Sequence, residues 1–305
     1  MDVKRSIIDR DIARLEESIR ALKSRRNELS PISRLPAEIF CNIFSLSISW
    51  RPESWTNFSQ VSQHWRSLAL SAPELWTEIP LSYPRWAQEM LIRSKKAKLT
   101  IQSSNSFDTW GPKNVATVRS CLYEMNRVEE IALSIVPGSI LEEIFWDLPR
   151  SAPQLHTLCI RSYWFSSGTA FPIREDFLYN TGRLKCVELS NCKISWDCRL
   201  LTGLTRLTIE VEDVLETNSS INQFLHALQR MPALTNLHLK DSIPDDSEGS
   251  SMYPLVDLPC LRVLRISSGV SSLTTVLRHI TFPHSAKLNL TCKENQSTQI
   301  FSIYI

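Results

Sequence analysis

The chain has 305 residues, more than one compact core usually holds, so two domains or an elongated repeat architecture are expected. Hydrophobic residues make up 43% and charged residues 22%, which excludes a long disordered tail. Lys and Arg number 34 against 32 Asp and Glu, a formal charge of +2; no global field favours nucleic acid or an anionic membrane, and neither is expected as a partner.

The opening Met1-Asp2-Val3-Lys4 runs into charges at nearly every turn, so no secretory signal is expected. No apolar run approaches the length of a membrane span. Eight cysteines, from Cys41 to Cys292, form no Cys-x-x-Cys pair and have no histidine ligands nearby. They read as reduced core thiols, which places the chain in the cytoplasm and/or nucleus.

Residues 1–30 carry a heptad. Ile8, Ile12, Leu15, Ile19, Leu22 and Leu29 step by four and three, with Arg26 interrupting the seam. Isoleucine at a (12 and 19) with leucine at d (15, 22 and 29) favours two-stranded coils. In a parallel homodimer Asp11 at g would face Glu16 at e of the other chain, twice. An antiparallel, heterotypic or intramolecular partner is therefore expected, the alternative being a helix whose stripe packs on the next domain.

Pro31 ends the heptad and opens a helical module over 31–81. Ser33-Arg34-Leu35-Pro36-Ala37-Glu38 supplies a capping serine, a proline near the first turn and an acid suited to a helix N-terminus. Ile39, Ile43 and Leu46 make one stripe of the helix that follows, and Phe40 with Phe44 makes a second. The apolar arc is wide enough to meet a core and a partner at once. Arg51 to Ser54 reads as a turn, after which Trp55, Phe58, Val61, Trp65 and Leu68 recur at helical intervals up to Pro73, with Glu74-Leu75-Trp76 closing the module.

These residues, Leu35-Pro-x-Glu-Ile-Phe-x-x-Ile-Phe44, Val61-x-x-x-Trp65-Arg66 and Pro73-Glu-Leu-Trp76, resemble an F-box of the F-box-like type over roughly residues 33 to 80. Ser62 departs from the pattern at a place where cysteine is frequent, and the link between the first two helices is irregular. The resemblance implies docking on a small adaptor subunit that bridges to a cullin scaffold, with Leu35, Pro36, Ile39 and Ile43 as contact candidates. Trp65, Leu68 and Trp76 suit the module's own core equally well.

Residues 82–98 read as a linking helix, centred on Arg85 to Ser94. From 99 to 305 a Leu-x-x-Leu-x-Leu pattern recurs, its copies beginning at Val128, Leu155, Leu184, Leu204, Leu234 and Leu261. The steps of 27, 29, 20, 30 and 27 residues are those of leucine-rich repeats. Lys98 to Ile101 looks like a partial opening strand and Lys287 to Leu290 a late one. Cys192 falls where such repeats take Asn or Cys to bond loop backbone. Amphipathic helices at Ile140 to Trp146 and Ile221 to Leu228 lie between strands. Asp241 to Ser251 reads as a flexible excursion, and the apolar Ile300 to Ile305 as a divergent, short or truncated end.

The expected fold class is thus α plus α/β: an N-terminal helix and a three-helix F-box-like module, followed by a leucine-rich-repeat horseshoe, a solenoid. In each copy the leucines point inward, so the residue between the last two and the residue after the final one share the opposite, concave face. One such row is Ala132, Cys159, Glu188, Thr208, His238 and Arg265; the next is Ser134, Arg161, Ser190, Glu210, Lys240 and Ser267. From these rows Arg161, Glu188, Glu210, His238, Lys240 and Arg265 are the candidates for binding a target protein.

None of the 7 glycines makes a P-loop or a dinucleotide turn. His64 falls on a helix and His156 and His238 on expected strands, with no HExxH pair or nucleophile elbow. Glu16 with Glu17 and Glu142 with Glu143 are adjacent on helices and point apart. No catalytic residue, metal or cofactor is expected. The resemblance implies the substrate-recognition subunit of an SCF-type ubiquitin ligase; the alternatives are a scaffold that recruits no ligase and, more remotely, an enzyme with an unrecognised site.

Overall fold

The computed structural model describes residues 2–50, 59–81, 83–103, 110–163, 171–212, 220–244, 253–294 and 297–303. The chain divides into two compact units. Met1–Thr77 with Arg93–Lys95 form the first, and Glu78–Ile92 with Lys96–Ile305 the second.

The first unit opens with α1 (Asp2–Glu28), ended by a turn at Leu29 and Ser30 and a 3-10 turn at Pro31–Arg34. Ser33 does not cap the next helix. Its hydroxyl donates to the carbonyl of Asn27 at 2.7 Å, tying the turn to the end of α1. Helix α2 (Ala37–Trp50) begins instead on Pro36, whose carbonyl accepts from Ile39 N at 3.0 Å and Phe40 N at 3.3 Å. Proline suits this place because the first N–H groups of a helix have no intrahelical acceptor.

The expected second helix is broken. Its described part is interrupted at Ser62, which takes extended geometry and caps α3 (Gln63–Ser71) by accepting from Trp65 N at 3.2 Å. A serine is therefore useful where the family pattern often has cysteine. Val61 is exposed, not part of a buried stripe. The turn at Arg51 to Ser54, Trp55 and Phe58 lie outside the described residues. A 3-10 turn at Pro73–Trp76 closes the unit, with the Trp76 indole donating to Ala69 O at 2.8 Å.

The second unit is a mixed helix and sheet structure. Its strands are β1 (Glu78–Pro80), β2 (Leu99–Gln102), β3 (Val128–Pro137), β4 (Thr157–Tyr163), β5 (Phe171–Ile173), β6 (Cys186–Ser190), β7 (Cys192–Ile194), β8 (Arg206–Glu210), β9 (Asn236–Lys240), β10 (Val256–Asp257), β11 (Val263–Gly269), β12 (Ile280–Thr281), β13 (Lys287–Glu294) and β14 (Ser297–Ile303). Its helices are α4 (Pro84–Arg93), α5 (Pro112–Leu122), α6 (Gly138–Phe145), α7 (Ile221–Gln229) and α8 (Val270–His279).

Ten strands make one sheet in the order β1-β2-β3-β4-β6-β8-β9-β11-β13-β14, parallel throughout except for the antiparallel β13–β14 pair. Five of the six pattern copies, those at Leu155, Leu184, Leu204, Leu234 and Leu261, place their strand two residues into the copy; β3 starts on Val128 itself. Burial then alternates as the pleat requires: in β8, Leu207 and Ile209 are buried while Thr208 and Glu210 are half-buried. β5 with β7 and β10 with β12 form two small parallel sheets. His156 was expected on a strand, yet it precedes β4; its backbone extends the ladder, donating to Glu129 O at 2.8 Å and accepting from Lys185 N at 3.0 Å.

The same turn recurs before several strands. Leu155 N reaches Ala152 O (3.2 Å), Leu184 N reaches Thr181 O (2.9 Å), Leu234 N reaches Met231 O (3.1 Å) and Leu261 N reaches Leu258 O (3.1 Å). Pro153, Pro232 and Pro259 occupy the second position of three of these turns, where their fixed φ is favourable.

Candidate functional site

In the first unit α2 sorts its apolar side chains by one residue of rotation. Phe40 and Phe44 are 0% and 1% exposed, with ring centroids 5.3 Å and 5.5 Å from that of Trp65. Their neighbours face outward. Ile39 is 42% exposed and Leu46 63%, Ile43 is half-buried, and Leu35 and Pro36 are exposed at the helix start. The four sequence-chosen contact residues thus lie together on the surface of the helix start and first two turns. Trp76 belongs to the core and Trp65 and Leu68 are half-buried, so these three serve the unit itself.

In the second unit the two polar rows are in register. Ala132, Cys159, Glu188, Thr208, His238 and Arg265 are successive partners across six neighbouring strands, and Gln102 and Asn289 extend the row at its ends. The second row, Ser134, Arg161, Ser190, Glu210, Lys240 and Ser267, is continuous in the same way. Two of the twelve are not available at the surface: Cys159 is 8% and Ser134 7% exposed. Ser134 N donates to Ser103 Oγ at 2.7 Å.

Charge on this face is arranged in pairs. Arg161 Nε donates to Glu188 Oε1 at 2.8 Å, a second guanidinium nitrogen makes a shorter contact, and this bond raises the arginine's pKa. His238 Nδ1 lies 3.4 Å from Glu210 Oε1. Partial burial nonetheless lowers the His238 pKa below its ordinary 6.5, the Glu210 carboxylate opposing and the Arg265 cation assisting that shift. Lys240 and Arg265, opposite Glu210 and His238 in the ladder, have no ion pair among the described residues.

Past the end of β6, Asn191 takes a left-handed φ of 54° and is buried, its side chain donating to Ser162 O at 3.3 Å and accepting from Glu212 N at 3.0 Å. Cys192 follows, 2% exposed, its thiol 3.4 Å from Ser190 O and 3.7 Å from Ile160 O. Asp241 and Ser242 repeat the arrangement after β9, with φ 52° at Asp241 and Ser242 Oγ donating to Ile209 O at 3.3 Å. These side chains bond backbone of the neighbouring strands and turns. Burial pushes the thiols of Cys121, Cys159 and Cys192 up to about 12, so they remain protonated. All eight cysteines are unpaired, but core thiol describes only four of them: Cys121, Cys159, Cys192 and Cys198 are buried, while Cys260 is exposed.

Sequence reasoning missed a cleft of about 380 Å³ lined by Phe145, Trp146, Phe171 and Phe177, with Arg150 paired to Asp176 among its lining residues. The guanidinium of Arg119 fixes the end of α6 by donating to Trp146 O at 2.8 Å, and the Trp146 side chain is 71% exposed. Among the described residues, no cysteine, serine or histidine lines it. Among the described residues no cluster of three or more His, Cys, Asp and Glu is placed to hold a metal, and no helix is long and apolar enough to cross a membrane.

The helical unit thus carries a partly exposed apolar stripe, and the sheet carries an ordered polar face. The family described as F-box-like matches residues 32–82, which supports an F-box protein. No curated protein matches the chain.

Proposed function

We propose that this chain is a substrate-recognition subunit of an SCF-type ubiquitin ligase, acting in the cytoplasm or nucleus without catalytic residues of its own. In this reading α2 docks on the small adaptor subunit, and through it on a cullin, by Leu35, Pro36, Ile39 and Ile43. The second unit is a leucine-rich-repeat solenoid. Its support is the recurrence of strand, turn and crossover at 20 to 30 residue steps, with each main-sheet strand beside the next in sequence. The target protein is held by the polar face through Arg161, Glu188, Glu210, His238, Lys240 and Arg265.

The observation that carries the docking half is the split of α2: its phenylalanines fill the core, and Ile39 and Ile43 remain partly exposed beside them. Folding does not use this stripe fully, and helix-in-groove recognition uses such anchors. Calorimetric titration of the full chain with the adaptor tests it. Ile39→Asp with Ile43→Asp places two charges in a desolvated contact, so binding falls by orders of magnitude while circular dichroism is unchanged. Wild-type affinity in the folded double variant sinks the docking assignment, and a wild-type chain that binds no adaptor leaves a scaffold that recruits no ligase.

A further inference from the structure

We propose that α1 pairs with the α1 of a second copy of this chain as an antiparallel two-helix coil. Ile8, Ile12, Leu15, Ile19 and Leu22 form one seam, yet each is 48 to 67% exposed, and no described residue from Val3 to Leu29 is buried. A helix of 27 residues with an uncovered heptad seam gains stability by burying it against another helix.

The flanking charges select the partner and its direction. With Ile19 packed against the partner's Leu15 and Ile12 against the partner's Leu22, Asp9 meets the partner's Lys23 and Asp11 meets the partner's Arg25. Two-fold symmetry makes each contact twice. Against these four attractive pairs stands one repulsion, Glu16 with the partner's Glu16. Arg26, the break in the seam, lies opposite the partner's Ile8 and near the partner's Asp9 and Asp11, so its stem can cover apolar surface while its charge is met.

Other alignments of the same seam are poorer. A parallel pair sets Asp11 against the partner's Glu16 twice and Arg26 against the partner's Arg26, leaving only Lys4 with the partner's Asp9 in its favour. Shifting the antiparallel pair by one heptad towards the N-termini sets Asp9 against the partner's Glu16 and Lys4 against the partner's Arg25, and shifting it the other way keeps only Glu16 with the partner's Lys23 while setting Arg26 against the partner's Leu15. The acids that flank the seam at Asp9 and Asp11 and the bases that flank it at Lys23 and Arg25 thus match a second copy running the other way, which also sets each helix N-terminus beside the partner's C-terminus.

Sedimentation equilibrium of the full chain across a concentration series tests this. The wild type forms dimers. Asp11→Lys weakens the dimer about tenfold, because two attractive pairs are lost and two repulsive ones gained. Asp9→Lys with Asp11→Lys, and separately Lys23→Asp with Arg25→Asp, give weaker homodimers still, and mixing the two variants restores a heterodimer in which all four pairs are attractive again. A dimer strengthened by Asp11→Lys overturns the proposal in favour of a parallel pair, since that change removes the clash with Glu16. A dimer indifferent to every charge variant places the contact elsewhere. A chain that is monomeric at all concentrations with its helix content intact means that another protein or another segment covers α1, and also overturns it.

Discussion

Helix α2 and strand β8 divide their side chains by different rules. Along β8 the pleat permits two faces, and burial follows it residue by residue: Leu207 and Ile209 inside, Thr208 and Glu210 outside. Along α2 the apolar arc is wider than its core contact, so Phe40 and Phe44 are enclosed while Ile39 and Leu46 are exposed. On a strand the residues available to a partner are the polar ones, whereas on a wide-arc helix they are the surplus apolar ones. In the proposed function, docking and target capture are then chemically different kinds of contact on one chain.

Core substitutions should break this comparison hardest. Phe40→Ala is expected to cost about 3–5 kcal/mol of stability, while the exposed neighbour change Ile39→Ala stays within about 0.5 kcal/mol, both read by chemical denaturation. Equal losses at the two positions contradict the division of α2. At the strand end, Asn191→Ala removes one buried and one part-buried hydrogen bond and leaves alanine in a left-handed conformation, an expected loss of about 2–4 kcal/mol. Asn191→Gly separates the two causes, since glycine relieves the backbone and not the lost bonds. Ser62→Ala removes the cap of α3 and should cost about 1 kcal/mol.

The smallest effect is a pH dependence. Because the folded pKa of His238 is depressed, the unfolded chain takes up its proton first as pH falls. This group's contribution to stability is full above about 6.5, its unfolded value, and is lost on acidification from there down through the folded value. His238→Gln should flatten that part of the stability profile. An unchanged slope means that the histidine is as well solvated in the fold as out of it.

The strands of the main sheet were legible because leucine spacing reports a buried row directly, and both polar rows follow from the pleat once the register is known. The exposed apolar stripe of α2 was legible as an excess of apolar residues at helical spacing. What escaped was carried by weaker signals. β1 is three residues ending in proline, too short to alternate. α8, Val-Ser-Ser-Leu-Thr-Thr-Val-Leu-Arg-His, is rich in β-branched and hydroxyl residues that favour helices little and is held by burial of Leu273 and Val276. The aromatic cleft joins residues 145 and 146 to 171 and 177, a proximity that only tertiary packing creates. The cap expected at Ser33 is found instead at Ser62, a serine with no distinguishing sequence signal, and only backbone geometry separates the two. Residues 245–251 of the expected excursion lie outside the described residues, as do Tyr304 and Ile305 of the apolar end, whose Ile300 to Ile303 pair with β13.

The separability of docking and capture is tested most directly by paired co-purification from cells, measuring the adaptor and proximity-labelled target proteins on the same samples. Three chains are compared: wild type, Ile39→Asp with Ile43→Asp, and Lys240→Glu with Arg265→Glu, the last pair chosen because neither cation is held in an ion pair on the described face. The account predicts that the isoleucine variant loses the adaptor and keeps the targets, and that the sheet variant keeps the adaptor and loses the targets. Retention of every target by the sheet variant, or loss of adaptor and targets together in either folded variant, contradicts it.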